Sequence, residues 1–238
     1  MAIIDGVECP FCGGHFREFL PAGLSIPVLK EKQVIGGGYR ANAVCPCCQS
    51  LDRERLVYLY LKSKTGVFHH NVRLLHIAPE KRLQEVLAPR LNIEYHSVDT
   101  NSPLATVRMS ATDLGYQTSF FDVIICNHVL EHIPNDRKAM SELHRVLKPG
   151  GWAILQVPIS MSLRETYEDS TVTAPLERER LFGQNDHVRI YARDYRDRLE
   201  AVGFAVRVYS YTEEFGEFAS RKYGLNIEEN LYISCKLI

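Results

Sequence analysis

The segment FFDVIIC, at residues 120–126, restricts the fold more than any other feature of this chain. A short run that is almost entirely apolar is typical of a strand buried on both faces of a parallel sheet. Other strand-like runs lie at 73–77, 93–99, 106–110 and 152–158. Helical patterns alternate with them, from about residue 80 and again at 137–147. This alternation predicts an α/β domain with a mostly parallel central sheet.

Composition and charge exclude several classes of protein. The longest apolar runs stop well short of the roughly 20 residues that a membrane span needs. The N-terminal segment lacks the basic, apolar and cleavage regions of a signal peptide, so we expect a cytoplasmic protein with no membrane partner. The 28 Lys and Arg residues balance 29 Asp and Glu residues, giving a formal net charge of −1. No global basic field therefore favours nucleic acid as a partner, and the composition fixes no oligomeric state.

Cysteines are concentrated at the start of the chain, in the turns CPFC and CPCC. Cysteines at positions i and i+3 can direct two thiolates at one tetrahedral ion. Pairing the two turns predicts a structural zinc site with the ligands Cys9, Cys12, Cys45 and Cys48. Cys47 competes with Cys48, His15 is a possible substitute ligand, and buried free thiols are the alternative to a metal site. The inner cysteines are farther apart than in compact zinc ribbons, which predicts a hairpin or loop between them.

The chain divides into three parts on this basis. Residues 1–50 form a zinc-ribbon-like module, residues 51–68 contain an amphipathic linker helix, and residues 69–238 form the α/β domain. Within that domain, residues 159–190 far exceed the roughly 2–6 residues of a typical connection. Their length predicts a lid or a site for the substrate.

The turn after the first strand, IAPEKR, bears on the choice of cofactor. A dinucleotide-binding turn needs glycines and free N–H groups facing a pyrophosphate. Here Pro79 has no N–H and Glu80 would repel phosphate, which disfavours a nicotinamide dinucleotide. S-adenosylmethionine carries a sulfonium and an ammonium and no phosphate, so it is compatible with that carboxylate. Asp99, at the end of the second strand, is placed to accept both ribose hydroxyls, or is simply a strand-end turn residue.

The segment FDVIICNHVLEHIPNDRKAMSELHRVLKPGGWAILQVP, at 121–158, resembles the core of class I S-adenosylmethionine-dependent methyltransferases, in particular the type-11 group. With Asp99 and the terminal strand-like runs, the resemblance extends over about residues 70–238. It implies a Rossmann-like sheet of seven strands in the order 3-2-1-4-5-7-6, with helices on both faces and the last strand antiparallel. The sixth and seventh strands would lie at 204–211 and 231–238.

The resemblance also implies roles for individual residues. His76 stands where the family has an acid, and Ala78 begins the turn that the family makes with glycines. Ser110 and Ala111 occupy the turn on the adenine side, and Asn127 lies beside the methionine end of the cofactor. The cofactor-binding residues implied are His76, Ala78, Glu80, Asp99, Ser110, Ala111 and Asn127.

Three histidines come under consideration for proton transfer. His187 follows Asp186, and the two form an oriented acid–base pair if they face one cleft. The alternative is that Asp186 turns the chain and His187 bonds to the backbone. His128 lies close to the transferred methyl group by topology, or is a packed strand-end residue. We expect His132 to be structural.

The remaining candidates concern the acceptor. In an extended segment Arg189 and Tyr191 alternate onto one face and are predicted to bind it. Because the leaving group of a sulfonium is already good, alignment and desolvation can supply most of the rate. The sequence therefore predicts methyl transfer to a small-molecule or glycan-like acceptor. The alternatives are a zinc-containing ribosomal RNA methyltransferase and a non-catalytic, zinc-stabilised binding protein with a vestigial methyltransferase domain.

Overall fold

The computed structural model describes residues 6–238. The first five residues of the predicted N-terminal module, and with them part of the segment in which a signal peptide is not expected, lie outside the described residues. The helices of the described part are α1 Pro27–Glu31, α2 Asp52–Lys64, α3 Lys81–Leu87, α4 Asp136–Val146, α5 Pro175–Phe182, α6 Tyr195–Glu200 and α7 Tyr211–Lys222, with a 3-10 turn at Leu130–His132. The strands are β1 Val7–Glu8, β2 His15–Phe16, β3 Leu20–Ala22, β4 Val34–Ile35, β5 Arg40–Val44, β6 Val72–Ile77, β7 Ile93–Asp99, β8 Val107–Arg108, β9 Phe121–Asn127, β10 Leu147–Gln156, β11 Ile159–Ser160, β12 Tyr167–Glu168, β13 Arg189–Ile190, β14 Ala205–Tyr209 and β15 Leu231–Cys235.

The central sheet has seven strands in the order β8-β7-β6-β9-β10-β15-β14. Strands β6 to β10 pair in parallel, and β15 pairs antiparallel with both of its neighbours. The predicted α/β fold and its mostly parallel seven-stranded sheet are thereby confirmed. Strand β9 lies at the centre, and its side chains are buried on both faces, as the apolar run predicts.

Helices cover both faces of the sheet. On one face α4 packs through Met140 and Leu143. On the other face α2 packs through Leu56 and Leu61, in the same cluster as Leu74 of β6. The predicted linker helix therefore belongs to the helical layer of the sheet. No helix within residues 6–238 has both the length and the apolar character needed to cross a membrane.

The cysteine-rich segment consists of two small antiparallel ladders, β1 with β2 and β3 with β5. The long spacing between the inner cysteines is accounted for by β3, β5 and the chain between them, residues 23–39. That chain leaves the ladder and reaches the start of the insertion, where β4 pairs with β11. There Val28 of α1 packs with Phe182 of α5 in a separate apolar cluster. The N-terminal segment and the 159–190 insertion thus share one small core.

Candidate functional site

The turn after β6 has the backbone conformation of a glycine turn although it carries alanine. Ala78 has a φ of +47°, in the left-handed region that residues other than glycine rarely adopt. Its N–H donates to the carbonyl of Val98 at 2.8 Å, which holds the turn against the end of β7. Strain of this kind persists only where surrounding contacts fix it, and it concentrates at functional sites.

A buried polar network lies directly below this turn. His76 is fully buried, and its Nε2 lies 2.9 Å from Oε2 of Glu80. Its Nδ1 lies 2.9 Å from the Tyr95 hydroxyl, and the amide of Asn127 donates to Oε1 of Glu80 at 2.6 Å. Burial acts to raise the pKa of Glu80. The hydrogen bond and the electrostatic interaction with His76 outweigh this effect, and the pKa of Glu80 is lowered. The structure thus brings His76, Glu80 and Asn127 together around one ionised carboxylate.

The residues predicted for the ribose and adenine already have local partners. Oδ1 of Asp99 accepts the N–H groups two and three residues further on, both at 2.6 Å. Asp99 is therefore a turn residue, and its Oδ2 takes no part in those two bonds. The hydroxyl of Ser110 lies 2.9 Å from that of Thr112, in a turn next to the buried Ala111. Both positions lie after the carboxyl ends of strands, where ligands bind in sheets of this type.

His128 is the second residue with a side chain in a left-handed conformation at this edge, with a φ of +55°. Its side chain is buried between two carboxylates: Nδ1 lies 3.5 Å from Glu131 and Nε2 lies 3.7 Å from Glu229. Burial lowers the pKa of His128 well below its ordinary value, so the imidazole is neutral near pH 7. Burial also raises the pKa of Glu229.

A cavity of about 560 Å³ opens at this edge of the sheet. Its walls come mainly from four parts of the chain: the 22–40 segment with its three glycines at 36–38, the start of α2 with Arg53, the residues that follow β9, and the 179–190 part of the insertion. Gly36, with a φ of +80°, passes so close that a Cβ would lie 3.1 Å from Oε1 of Glu229. Sequence reasoning missed the contribution of the 36–38 segment, although three consecutive glycines marked a place of close backbone approach.

Glu131, His132 and His187 form a cluster in the cavity wall, each offering a ligand atom within 4.8 Å of the others. Nδ1 of His187 lies 3.3 Å from the carbonyl of Phe182, so His187 bonds to the backbone. Burial, with the neighbouring His132, lowers the pKa of His187 to about 4, and burial raises the pKa of Glu131 to about 8. The predicted pairing of Asp186 with His187 is corrected, because the Asp186 carboxylate lies 3.2 Å from Nδ1 of His132. His132 also lines the cavity, and its structural role stays a prediction.

Arg189 and Tyr191 have structural partners. The Arg189 guanidinium is buried and donates to the carbonyls of Leu130, Ile133 and Pro134 and to the carboxylate of Glu168. Tyr191 is fully buried, and its hydroxyl donates to the Asp136 carboxylate at 2.7 Å. Both side chains anchor the insertion to the chain after β9, and Arg189 also lines the cavity. Their role in binding the acceptor stays a prediction.

The four predicted cysteines meet in space. Sγ of Cys9 lies 3.5 Å from that of Cys48, and Sγ of Cys12 lies 3.8 Å from that of Cys45. Cys47 is exposed and lies outside this group. Burial acts to raise the pKa of Cys9, but hydrogen bonds from the Ser50 hydroxyl and from backbone N–H groups outweigh it and lower that pKa to about 7. A four-thiolate cluster of this size is typical of a structural zinc site.

One part of the chain is similar to a known type of domain. Residues 69–155 match the family model of a methyltransferase domain. This segment contains β6, β7 and β9 and the turns at their carboxyl ends. No curated protein sequence matches the chain. The match covers less than half of the chain, so it shows that residues 69–155 are similar to a methyltransferase domain.

Solved structures share the fold. The (4+2)-cyclase SpnF has a TM-score of 0.56 at 15% identity, over 91% of this chain and 100% of that one. An S-adenosylmethionine-dependent methyltransferase from Archaeoglobus fulgidus has a TM-score of 0.50 at 16% identity, over 76% of this chain and 93% of that one. Phosphoethanolamine N-methyltransferase 2 from Haemonchus contortus has a TM-score of 0.50 at 15% identity, over 78% of this chain and 53% of that one. At these identities the similarity shows the fold alone, and SpnF shows that this fold is not restricted to methyltransferases.

Proposed function

We propose that this protein transfers a methyl group from S-adenosylmethionine to a small-molecule or glycan-like acceptor in the cavity at the carboxyl edge of the sheet. The observation that supports it most directly is that the cavity adjoins the turn after β6, where we propose that the cofactor binds. Arg53 lines the cavity, and its Nε lies 4.0 Å from Oε1 of Glu80. An acceptor in the cavity would therefore lie next to the network that follows the first strand.

The residues at the turn fit the cofactor. The left-handed Ala78 keeps the backbone in the form that a glycine turn needs, and the ionised Glu80 favours the cationic end of the cofactor. Oδ1 of Asn127 is buried and has no hydrogen-bond partner within the described residues, so it is available to an ammonium donor. Asp99 would accept hydrogen bonds from the ribose hydroxyls through Oδ2, because the N–H groups of its turn bond to Oδ1. The cofactor supplies an electrophilic methyl group, and the protein's part is to align the acceptor and exclude water.

The cavity suits a small acceptor. Its volume of about 560 Å³ lies within the usual range for small-molecule sites. Arg40 and Arg53 line it together with the neutral His128, so its wall offers both hydrogen-bond donors and a proton acceptor. His128 is the proposed base where the acceptor needs one, because it follows Asn127 directly in the chain. His187 is the second candidate: its Nδ1 bonds to the backbone and leaves Nε2 free, but its pKa of about 4 makes it a weak base.

We also propose that the four-cysteine cluster binds a structural zinc ion. The donor set consists of four thiols with all sulfur atoms within 4.8 Å of one another, and the hydroxyl of Ser50 lies 3.4 Å from Sγ of Cys9. Four protein ligands leave no open position, so zinc would stabilise the N-terminal segment without taking part in catalysis.

Calorimetric titration with S-adenosylhomocysteine tests cofactor binding. Asp99→Asn retains the oxygen that the turn uses and removes the charge, so we expect binding roughly 10- to 150-fold weaker. Asp197→Asn, at an exposed position on α6, is the matched control and should bind as the wild type does. Failure of the wild type to bind up to millimolar concentration would overturn the proposal and favour the vestigial, non-catalytic alternative.

Labelled methyl transfer to separate small-molecule, glycan and RNA fractions then identifies the acceptor. We expect incorporation into the small-molecule or glycan fraction. Incorporation into RNA alone, with affinity falling steeply as salt rises, would favour the ribosomal RNA alternative instead.

A further inference from the structure

We infer that Glu131, His132 and His187 bind a divalent transition metal ion in the wall of the cavity, separate from the cysteine cluster. Two histidines and one carboxylate form a donor set typical of Fe²⁺, Mn²⁺ and related ions. The site joins two distant parts of the chain, the 3-10 turn after β9 and the loop before β13, and all three side chains line the same cavity.

The distances suit one ion. One ligand atom from each residue lies within 4.8 Å of the other two. Two ligands bonded to one ion at about 2.1 Å are at most about 4.2 Å apart, so adjustments of the side chains alone bring the three to bonding distance. The rings of His132 and His187 stand at 83° with centroids 4.6 Å apart, close enough for both to turn a nitrogen to a common point.

The surroundings orient both imidazoles. Nδ1 of His132 lies 3.2 Å from the Asp186 carboxylate, and Nδ1 of His187 lies 3.3 Å from the carbonyl of Phe182. Each Nδ1 can donate its proton to an oxygen, which leaves Nε2 free as a ligand. Metal-binding histidines almost always have such an oxygen partner on the other ring nitrogen. The sequence predicts Asp186 as the partner of His187, but its carboxylate is the oxygen partner of His132.

The carboxylate provides the second, independent observation. Glu131 is 2% exposed, and its Oε2 is buried without a hydrogen-bond partner within residues 6–238. An unpaired buried carboxylate oxygen is costly, and a cation removes that cost. Because all three residues line the cavity, an ion bound by them would be accessible from it. The further role of the ion, holding an oxygen of the acceptor, rests on the proposed function; metal binding itself does not.

Binding of Mn²⁺ to the full chain, previously given one equivalent of Zn²⁺ for the cysteine cluster, tests the inference. Mn²⁺ prefers nitrogen and oxygen ligands and does not suit a four-thiolate site. Titration followed by the electron paramagnetic resonance signal of free Mn²⁺ should show one bound ion per chain. Glu131→Gln and His187→Asn should each weaken binding at least about tenfold. His69→Asn, which changes an exposed histidine, is the control and should leave the titration unchanged.

A measurement on the wild type keeps the test independent of whether the variants fold. Pulsed electron paramagnetic resonance of the bound Mn²⁺ should show coupling to imidazole nitrogen. Absence of that coupling, failure of the wild type to bind Mn²⁺ or Co²⁺ at this site, or unchanged affinity in both variants would overturn the inference. None of these measurements uses S-adenosylhomocysteine, so a failed metal site and a failed methyltransferase proposal give different results.

Discussion

Replacement of Arg55 by methionine is predicted to weaken the attachment of the cysteine-rich segment to the rest of the protein. Arg55 lies on α2 and is fully buried. Its guanidinium carbon lies 4.3 Å from the centre of the Phe19 ring. The guanidinium donates to four backbone carbonyls, those of Ser50 at 2.6 Å, Tyr223 at 2.8 Å, Gly224 at 2.8 Å and Asn42 at 3.3 Å. One side chain thus ties the segment before α2 to the chain that follows α7.

The magnitude follows from two opposing effects. Each hydrogen bond to a charged group contributes about 1.5–3 kcal/mol, and truncation leaves the carbonyl acceptors without this donor. Methionine also removes a buried charge, whose desolvation costs several kcal/mol, and it fills most of the apolar volume. We expect a net loss of about 3–5 kcal/mol in the free energy of unfolding, the part of the lost hydrogen bonding that the recovered desolvation energy does not offset. In a chain of this length that corresponds to a melting temperature lower by roughly 6–20 °C.

Urea and thermal unfolding of the zinc-loaded protein measure this loss. Arg55→Lys keeps the charge but not the planar set of donors, so it should give a smaller loss than Arg55→Met. Arg17→Met, at an exposed position of the same segment, should change stability by less than about 0.5 kcal/mol. A loss below about 1 kcal/mol in Arg55→Met, the contribution of one ordinary hydrogen bond, would refute the assignment of Arg55 as the connecting residue.

Three further predictions concern other parts of the chain. Cys48→Ser should lose zinc in elemental analysis while Cys47→Ser retains it, and the reverse result would show that the ligand set is wrong. Tyr191→Phe should lower stability by about 1 kcal/mol through its lost hydrogen bond and leave the KM for the acceptor unchanged; a raised KM would restore it as a binding residue. Gly183→Ala should destabilise the insertion, because φ is +88° and a Cβ would clash with the Leu29 side chain. Limited proteolysis of the insertion measures that effect, and unchanged resistance would contradict the close packing of the two segments.

The sequence by itself determined the type of sheet and the cysteine pairing. The apolar run of β9 and the helical period of α4 report local burial, and both elements formed within one or two residues of the predicted bounds. The spacing of the two cysteine turns was equally local, so Cys48 could be preferred to Cys47 before their positions in space were known. The sequence also showed that Ala78 stands in a turn that similar proteins make with glycines. Only the backbone of the structure showed that this alanine adopts the conformation of a glycine.

Tertiary structure decided which residues line the cavity. The pairing of β4 with β11 joins segments more than 120 residues apart, and no local pattern specifies such a partner. Alternation placed Arg189 and Tyr191 on one face but could not specify that Arg189 bonds to carbonyls after β9 and Tyr191 to the buried Asp136 carboxylate. In the same way, Asp186 is adjacent to His187 in the chain but bonds to His132, because the fold brings the turn after β9 against the insertion. Local spacing fixes elements and tight turns, whereas the composition of a site formed from several distant segments depends on how those segments pack.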